Sequence, residues 1–153
     1  MVKGKKILAI IPARGGSKRI PKKNILDIAG KPMIAWTIEA ALNSRYISKV
    51  VVSTDDKDIA SVAIKYGAEV PFLRDKCADD HSPISLATIR TLKQMEEAGF
   101  EESDIVVQLM ANCPLRNSND IDLAIENFIT KKSNFQISSF KFGWMNPWWA
   151  HKL

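Results

Sequence analysis

The sequence predicts an α/β protein of three layers, αβα, built on a mostly parallel sheet. Three observations carry this expectation. Short apolar runs alternate with stretches whose apolar residues recur at helical spacing, and the alternation holds along the chain. The first run, Ile7-Leu8-Ala9-Ile10-Ile11, is apolar at every position, as in a strand covered on both faces. Behind it lies a loop over 12–24 that carries Arg14, Lys18, Arg19, Lys22 and Lys23 around Gly15-Gly16 and has no acidic residue. Glycines let backbone N–H groups come close to an anion, and the cations complete the match. The opening loop therefore reads as a polyphosphate cradle at the carboxyl end of a central strand.

Each element follows in order. The first strand is predicted over 6–11. Gly30-Lys31-Pro32 marks a turn, with Pro32 placed to open a helix. Ile34, Ile38, Ala41 and Leu42 share one stripe of that helix, which runs to about Asn43. Val50-Val51-Val52 is a second strand, ending at Ser53-Thr54-Asp55-Asp56. Asp55, Asp56 and Asp58 suit the cap and first turn of a second helix, with Ile59, Val62, Ala63 and Tyr66 on one face and Gly67 as its stop. A short third strand covers 68–70, and a polar connection over 71–81 is long enough to suggest function. Ser82-Pro83 opens a third helix, lined by Leu86, Ile89, Leu92 and Met95 and stopped at Gly99. A fourth strand over 104–109 leads into a loop over 110–117. The fourth helix carries Ile121, Ala124, Ile125, Phe128 and Ile129, and a fifth strand is expected over 135–140. Trp144, Trp148 and Trp149 crowd the last ten residues, to cover a core edge or to meet a partner.

With 153 residues, 46% of them hydrophobic and 25% charged, one domain over 1–153 is the expectation. No stretch is long and apolar enough to span a membrane, and the basic start lacks the apolar length and cleavage site of a signal peptide. A cytoplasmic protein without membrane contact is expected. Cys77 and Cys113 fit no metal spacing and read as free thiols, with Cys113 a small buried one. The net charge of +5 is gathered in the opening loop and in Lys3, Lys5 and Lys6. That favours a phosphorylated small molecule over nucleic acid, whose binders spread charge along a face among aromatics.

Right-handed crossovers leave few topologies, of which one is expected. The chain runs outward from the first strand to the second and third, then returns to set the fourth beside the first. Ligands bind at the carboxyl ends of strands at such a switch point. The opening loop and the 110–117 loop would face each other there, with 74–81 as a third wall.

The opening loop is neither a P-loop nor a dinucleotide fingerprint, since it lacks the Gly-Lys-Ser/Thr ending and the third glycine. Read as a string, Pro12-Ala13-Arg14-Gly15-Gly16-Ser17-Lys18-Arg19-Ile20-Pro21-Lys22-Lys23-Asn24 resembles the signature of the CMP-N-acylneuraminate cytidylyltransferases, the CMP-sialic acid synthetases. Val51-Val52-Ser53-Thr54-Asp55 and Pro114-Leu115-Arg116 resemble further segments of that family. The 3-deoxy-manno-octulosonate cytidylyltransferases share the Pro-Ala-Arg start but continue differently where this chain has Lys22-Lys23-Asn24.

The resemblance implies a Rossmann-like fold of the nucleotide-diphospho-sugar transferase kind. It implies that the anomeric hydroxyl of an acidic nine-carbon sugar attacks the α-phosphate of CTP, with Mg²⁺ as companion, and that pyrophosphate leaves. In that role Arg14 and Lys23 are the expected catalytic cations. Ala13, Gly15, Gly16, Ser17, Asn24, Arg74 and Ser85 would bind the nucleotide, and Met110, Asn112 and Arg116 would face the sugar. Without the resemblance, Arg74 reads as a surface charge and Ser85 as a first-turn helix residue. Asp55 and Asp56 read as helix caps, Asp79 and Asp80 as solvated, and His81 as a loop or capping residue. Met110 stands where the family has a glutamine near the sugar. A thioether lacks an amide's donors, so beside sialic acid itself a relative, such as a legionaminate- or pseudaminate-like sugar, stays open as the acceptor. Family members also continue well past the length of this chain, with their metal-binding aspartate pair and much of a homodimer interface in the later part. The chain is therefore expected to hold the nucleotide half of the site. Two alternatives stay open: another keto-acid sugar on the same scaffold, and a non-catalytic nucleotide-binding module.

Overall fold

The computed structural model describes residues 4–17, 20–76 and 82–139. Strand β1 (Ile7–Pro12) lies at the centre of a parallel sheet, between β4 (Lys49–Ser53) and β5 (Ile105–Gln108). Its register pairs Ile10 with Val51 on one side and with Gln108 on the other. The expected third strand is a single parallel bridge from Glu69 to Val51 on the far side of β4. The order is thus the expected one, with its outer strand reduced to one bridge.

All six residues of β1 are buried, and the two-residue side-chain period of a strand divides them between two cores. Ile7, Ala9 and Ile11 join a cluster with Ile34 and Ile38 of α1 (Met33–Leu42), Ile59 and Ala63 of α2 (Lys57–Lys65) and Ile121 and Ile125 of α4 (Ser118–Thr130). Leu8 and Ile10 face the other way, with Val51 and with Met95 of α3 (Ile84–Glu97). Helices therefore cover both faces, and the layers are αβα. Full burial of one such isoleucine is worth about 1.5–3 kcal/mol, so β1 is the keel of both cores. Ahead of α1, a two-stranded hairpin of β2 (Asp27–Ile28) and β3 (Lys31–Pro32) turns through Ala29 and Gly30, both at positive φ.

Several elements differ from expectation. In α3 the buried positions are Ala87, Thr88, Thr91 and Met95, while Leu86 and Ile89 are 45% and 47% exposed. The face is chosen by polar bonds from Thr88 to Gln108 and from Thr91 to Ser53, which only small side chains can make at that approach. Leu42 of α1 is likewise exposed. Asp56, not Asp55, caps α2, accepting from Asp58 N–H and Ile59 N–H at 2.8 and 3.0 Å. Pro32 and Pro83 stand just before their helices rather than inside them, and neither helix has a side-chain cap. Residues 135–139 form no strand, because Gln136 bonds back to Ala124 and Asn127 of α4, leaving Phe135 and Ile137 exposed. Cys113 is a free thiol, half-buried rather than buried. Lys18, Arg19, Cys77, Asp79, Asp80, His81, Phe140 and the three late tryptophans lie outside the described residues. Among the described residues no helix is long and apolar enough to cross a membrane.

Candidate functional site

Because β1, β4 and β5 are parallel, their carboxyl ends open on one side. The chain leaves β1 for β4 in one direction and returns across β1 to β5. The cleft at this switch point has a volume of about 250 Å³. Pro12, Arg14, Ser17, Lys23 and Asn24 line it from the opening loop, and Met110, Ala111 and Asn112 from the loop after β5. Arg74, Ser82, Ile84 and Ala87 close the third side. Three of these residues are cationic and none is acidic.

The opening loop is shaped by its own bonds. Ser17 N–H donates to the Gly15 carbonyl at 2.8 Å, closing a tight turn. After Ile20 the chain returns through Lys22 at φ 50° into a short 3₁₀ turn, Lys23–Ile25. That turn buries Asn24, whose Nδ2 donates to the Arg14 carbonyl at 3.0 Å. Asn24 therefore braces the loop as well as lining the cleft. Lys22 reaches out to Asp58 at 2.7 Å, tying the loop to the first turn of α2.

Arg74 is 5% exposed. Its Nη1 donates to the Ser53 carbonyl at 3.0 Å and to the Ser53 hydroxyl at 3.1 Å. The Thr91 hydroxyl lies 2.6 Å from the Ser53 hydroxyl and 2.8 Å from the Ala87 carbonyl. One proton arrangement satisfies the set: Arg74 donates to Ser53, Ser53 to Thr91, and Thr91 to Ala87. A buried arginine is thus held by a one-way chain of hydrogen bonds reaching into α3, with the Asp55 carboxylate 3.9 Å from its Nη2 as counter-charge.

On the opposite wall, the Met110 carbonyl accepts from the Thr37 hydroxyl at 3.1 Å and from Arg116 Nη2 at 3.0 Å. Arg116 is thereby turned towards α1, away from the cleft, and burial pushes its pKa below the ordinary arginine value.

Of the expected site residues, Arg14, Ser17, Lys23, Asn24, Arg74, Met110 and Asn112 come together around the cleft. Ala13 is buried in the core, with its N–H on the Ser53 carbonyl at 2.9 Å. Gly15 and Gly16 are in the loop but do not line the cavity, and Ser85 is exposed on α3 while its neighbours Ser82, Ile84 and Ala87 line the site. Ile84 and Ala87 share a helix face at i, i+3 spacing, and Ser85 falls off it. The sequence marked Ser53 and Asp55 only as part of a family-like segment and Asp55 as a helix cap, not as supports of the cleft, and gave no signal for Thr91. Among the described residues no three His, Cys, Asp or Glu side chains gather, and no carboxylate lines the cleft. The described residues therefore do not fit a protein-held Mg²⁺.

A cleft at a central-strand switch point, with three cationic and no acidic side chains among the described residues that line it, is a place where an α/β domain can hold an anionic ligand. The chain belongs to the cytidylyltransferase family, whose model matches residues 8–143. It is 46% identical over 137 residues to the pseudaminic acid cytidylyltransferase of Campylobacter jejuni strain 81-176, covering 90% of this chain and 59% of that protein. It is 41% identical over 150 residues to the CMP-N,N'-diacetyllegionaminic acid synthase of Legionella pneumophila, covering 97% and 63%. Among solved structures, a CMP:2-keto-3-deoxy-manno-octonic acid synthetase complexed with CTP superposes with a TM-score of 0.68 at 30% identity, over 84% of this chain and 49% of that one. The chain spans about three fifths of the length of these two curated relatives.

Proposed function

We propose that this chain binds CTP and provides the nucleotide half of a site that transfers CMP to an acidic keto sugar. The observation that carries the reading is the convergence of Arg14, Lys23 and Arg74 on a cleft that no carboxylate lines among the described residues. In the reaction the sugar's anomeric hydroxyl forms a bond to the α-phosphorus, the bond from that phosphorus to the bridging oxygen of pyrophosphate breaks, and the hydroxyl proton passes to solvent. Such displacements depend on charge neutralisation and alignment. Arg14 and Lys23 neutralise the triphosphate, Ser17 adds a hydroxyl donor, and buried Arg74 orients the cytidine end. Mg²⁺ is expected to arrive with the nucleotide.

For the acceptor, we favour a nine-carbon sugar of the pseudaminate or legionaminate type. Met110, 39% exposed in the wall of the cleft, presents a thioether where an amide would serve N-acetylneuraminate. The two relatives named above support this choice. An octulosonate-like acceptor and a binding module without turnover are the alternative outcomes.

Titration calorimetry with CTP and with cytidine, then pyrophosphate release across a panel of acidic sugars, tests the reading. Lys23→Ala and Arg14→Ala should each weaken CTP about tenfold or more, the scale of one charge-assisted contact, and cytidine much less. CTP binding without turnover on any sugar selects the module. Absence of CTP binding, or equal losses for CTP and cytidine in both variants, refutes the phosphate role.

A further inference from the structure

We infer that Asp55 is a positioning residue that sets the cationic walls of the nucleotide cleft, an inference that rests on the CTP reading above. The segment Ser53-Thr54-Asp55-Asp56 at the carboxyl end of β4 lines no part of the cleft, yet it holds two of the walls. The Ser53 carbonyl takes Ala13 N–H at 2.9 Å and the Thr54 carbonyl takes Arg74 N–H at 2.7 Å. Asp56 is committed to capping α2. Asp55, with its side chain 28% exposed, is left to reach across to the opening loop.

There its Oδ1 accepts the Gly15 N–H at 3.0 Å. The carbonyl of the same peptide unit, that of Arg14, accepts from Asn24 Nδ2 at 3.0 Å. Both polar ends of the Arg14–Gly15 peptide are thus pinned, which fixes the peptide plane and with it the direction in which the Arg14 side chain leaves the backbone. The same Oδ1 lies 3.9 Å from Arg74 Nη2, so one oxygen meets the backbone that carries Arg14 and the guanidinium of Arg74 itself.

The sign of its effect separates this role from a purely electrostatic one. A carboxylate near a triphosphate site repels the ligand, so on charge alone its removal strengthens CTP binding. As a positioning group its removal weakens CTP binding. Asp55→Asn keeps an oxygen that can accept the Gly15 N–H, whereas Asp55→Ala keeps none.

The experiment measures CTP and cytidine affinities of the full chain for the wild type, Asp55→Asn and Asp55→Ala, together with hydrogen exchange at the Gly15 amide. Asp122→Asn serves as a remote destabilising control. Asp55→Ala should weaken CTP by about tenfold or more, the scale of a hydrogen bond to a charged group, and quicken Gly15 exchange. Arg74 keeps both Ser53 bonds, so cytidine should change less than about threefold. Asp55→Asn should restore most of the CTP affinity and the slow exchange. Asp122→Asn should lower the melting temperature and leave the ratio of CTP to cytidine affinity unchanged. Unchanged or tighter CTP binding by Asp55→Ala overturns the inference, as does a matching change of ratio in Asp122→Asn. If the wild type binds no CTP, the nucleotide reading fails. The positional claim is then decided by Gly15 exchange, and equal rates in all three proteins overturn it.

Discussion

Gly15 and Gly16 are adjacent, both lie in the opening loop, and neither has a positive φ. An alanine is therefore conformationally permitted at both positions, and its effect on the unfolded chain is the same at each. The two differ in surroundings. A Cβ on Gly15 would lie 2.5 Å from Asp56 Oδ2, 2.8 Å from Asp56 Cβ and 3.0 Å from Asp56 Cγ, whereas a Cβ on Gly16 meets nothing within 4 Å. In Gly15→Ala either Asp56 leaves its cap, at about 1 kcal/mol, or the loop backs away and loses the Gly15–Asp55 bond, at about 1.5–3 kcal/mol. Taking the lesser disturbance with partial relaxation, the loss is about 1–2 kcal/mol. A domain of this size shifts by about 2–4 °C per kcal/mol, so the melting temperature should fall by about 2–8 °C. Gly16→Ala should stay within about 0.5 kcal/mol of wild type. Differential scanning calorimetry of the two variants side by side decides the matter. Equal melting temperatures would refute the claim that the β4–α2 corner sets the room available to the loop.

Two further predictions concern carboxylates away from the cleft. Asp122 on α4 is 1% exposed, and accepts from the Ser44 hydroxyl at 2.6 Å and from Arg45 Nε at 2.8 Å. Burial pushes its pKa up, but the bonds from Arg45 and Ser44 more than offset this and hold it below the ordinary carboxylate value. With the folded pKa depressed, its stabilising contribution is present above the unfolded value of about 4 and is lost as pH falls through the folded one. Asp122→Asn should cost about 1–3 kcal/mol at pH 7 and flatten the acid limb of the stability curve, read by urea unfolding between pH 2 and 7; an unchanged acid limb would speak against this pairing. Asp75 on the surface accepts two bonds from Arg90, each 2.8 Å, and these hold its carboxyl down at about 2. In Arg90→Ala an NMR titration should find Asp75 back near the ordinary aspartate value of about 3.9, and a persistent low pKa would exclude Arg90 as the cause.

The strand order and the cleft were legible in sequence because β1 advertises itself. Ile7 to Ile11 are apolar without a break, and the switch point follows from the alternation alone. The face of α3 was not legible in the same way. Leu86 and Ile89 make the stronger hydrophobic stripe, yet the helix turns inward the face holding Ala87, Thr88 and Thr91. Hydroxyl bonds to Ser53 and Gln108 decide that, and such partners are visible only after folding. The two aspartates Asp55 and Asp56 look equivalent before a helix; which one caps depends on the angle at which the chain enters α2. Residues 135–139 alternate like a strand, but alternation does not supply a neighbour to pair with, and Gln136 found α4 instead. At the cleft, residue types announced the cations. The residues that aim them had no chemistry of their own to announce.

The central place of β1 has a consequence during synthesis. β1 is made before its partner β5, which begins 98 residues later, where Ile7 meets Ile105. At translation rates of about 5–20 residues per second, the ribosome takes roughly 5–20 seconds to deliver that partner. Throughout that interval Ile7–Ile11, an uncharged apolar run, has at most β4 beside it. An unpaired apolar strand of this kind is prone to self-association or uptake by chaperones. Heterologous yield should therefore respond to the pace of translation between β4 and β5 more than to substitutions in the cleft, and the same strand that unites both cores is the one most at risk before they form.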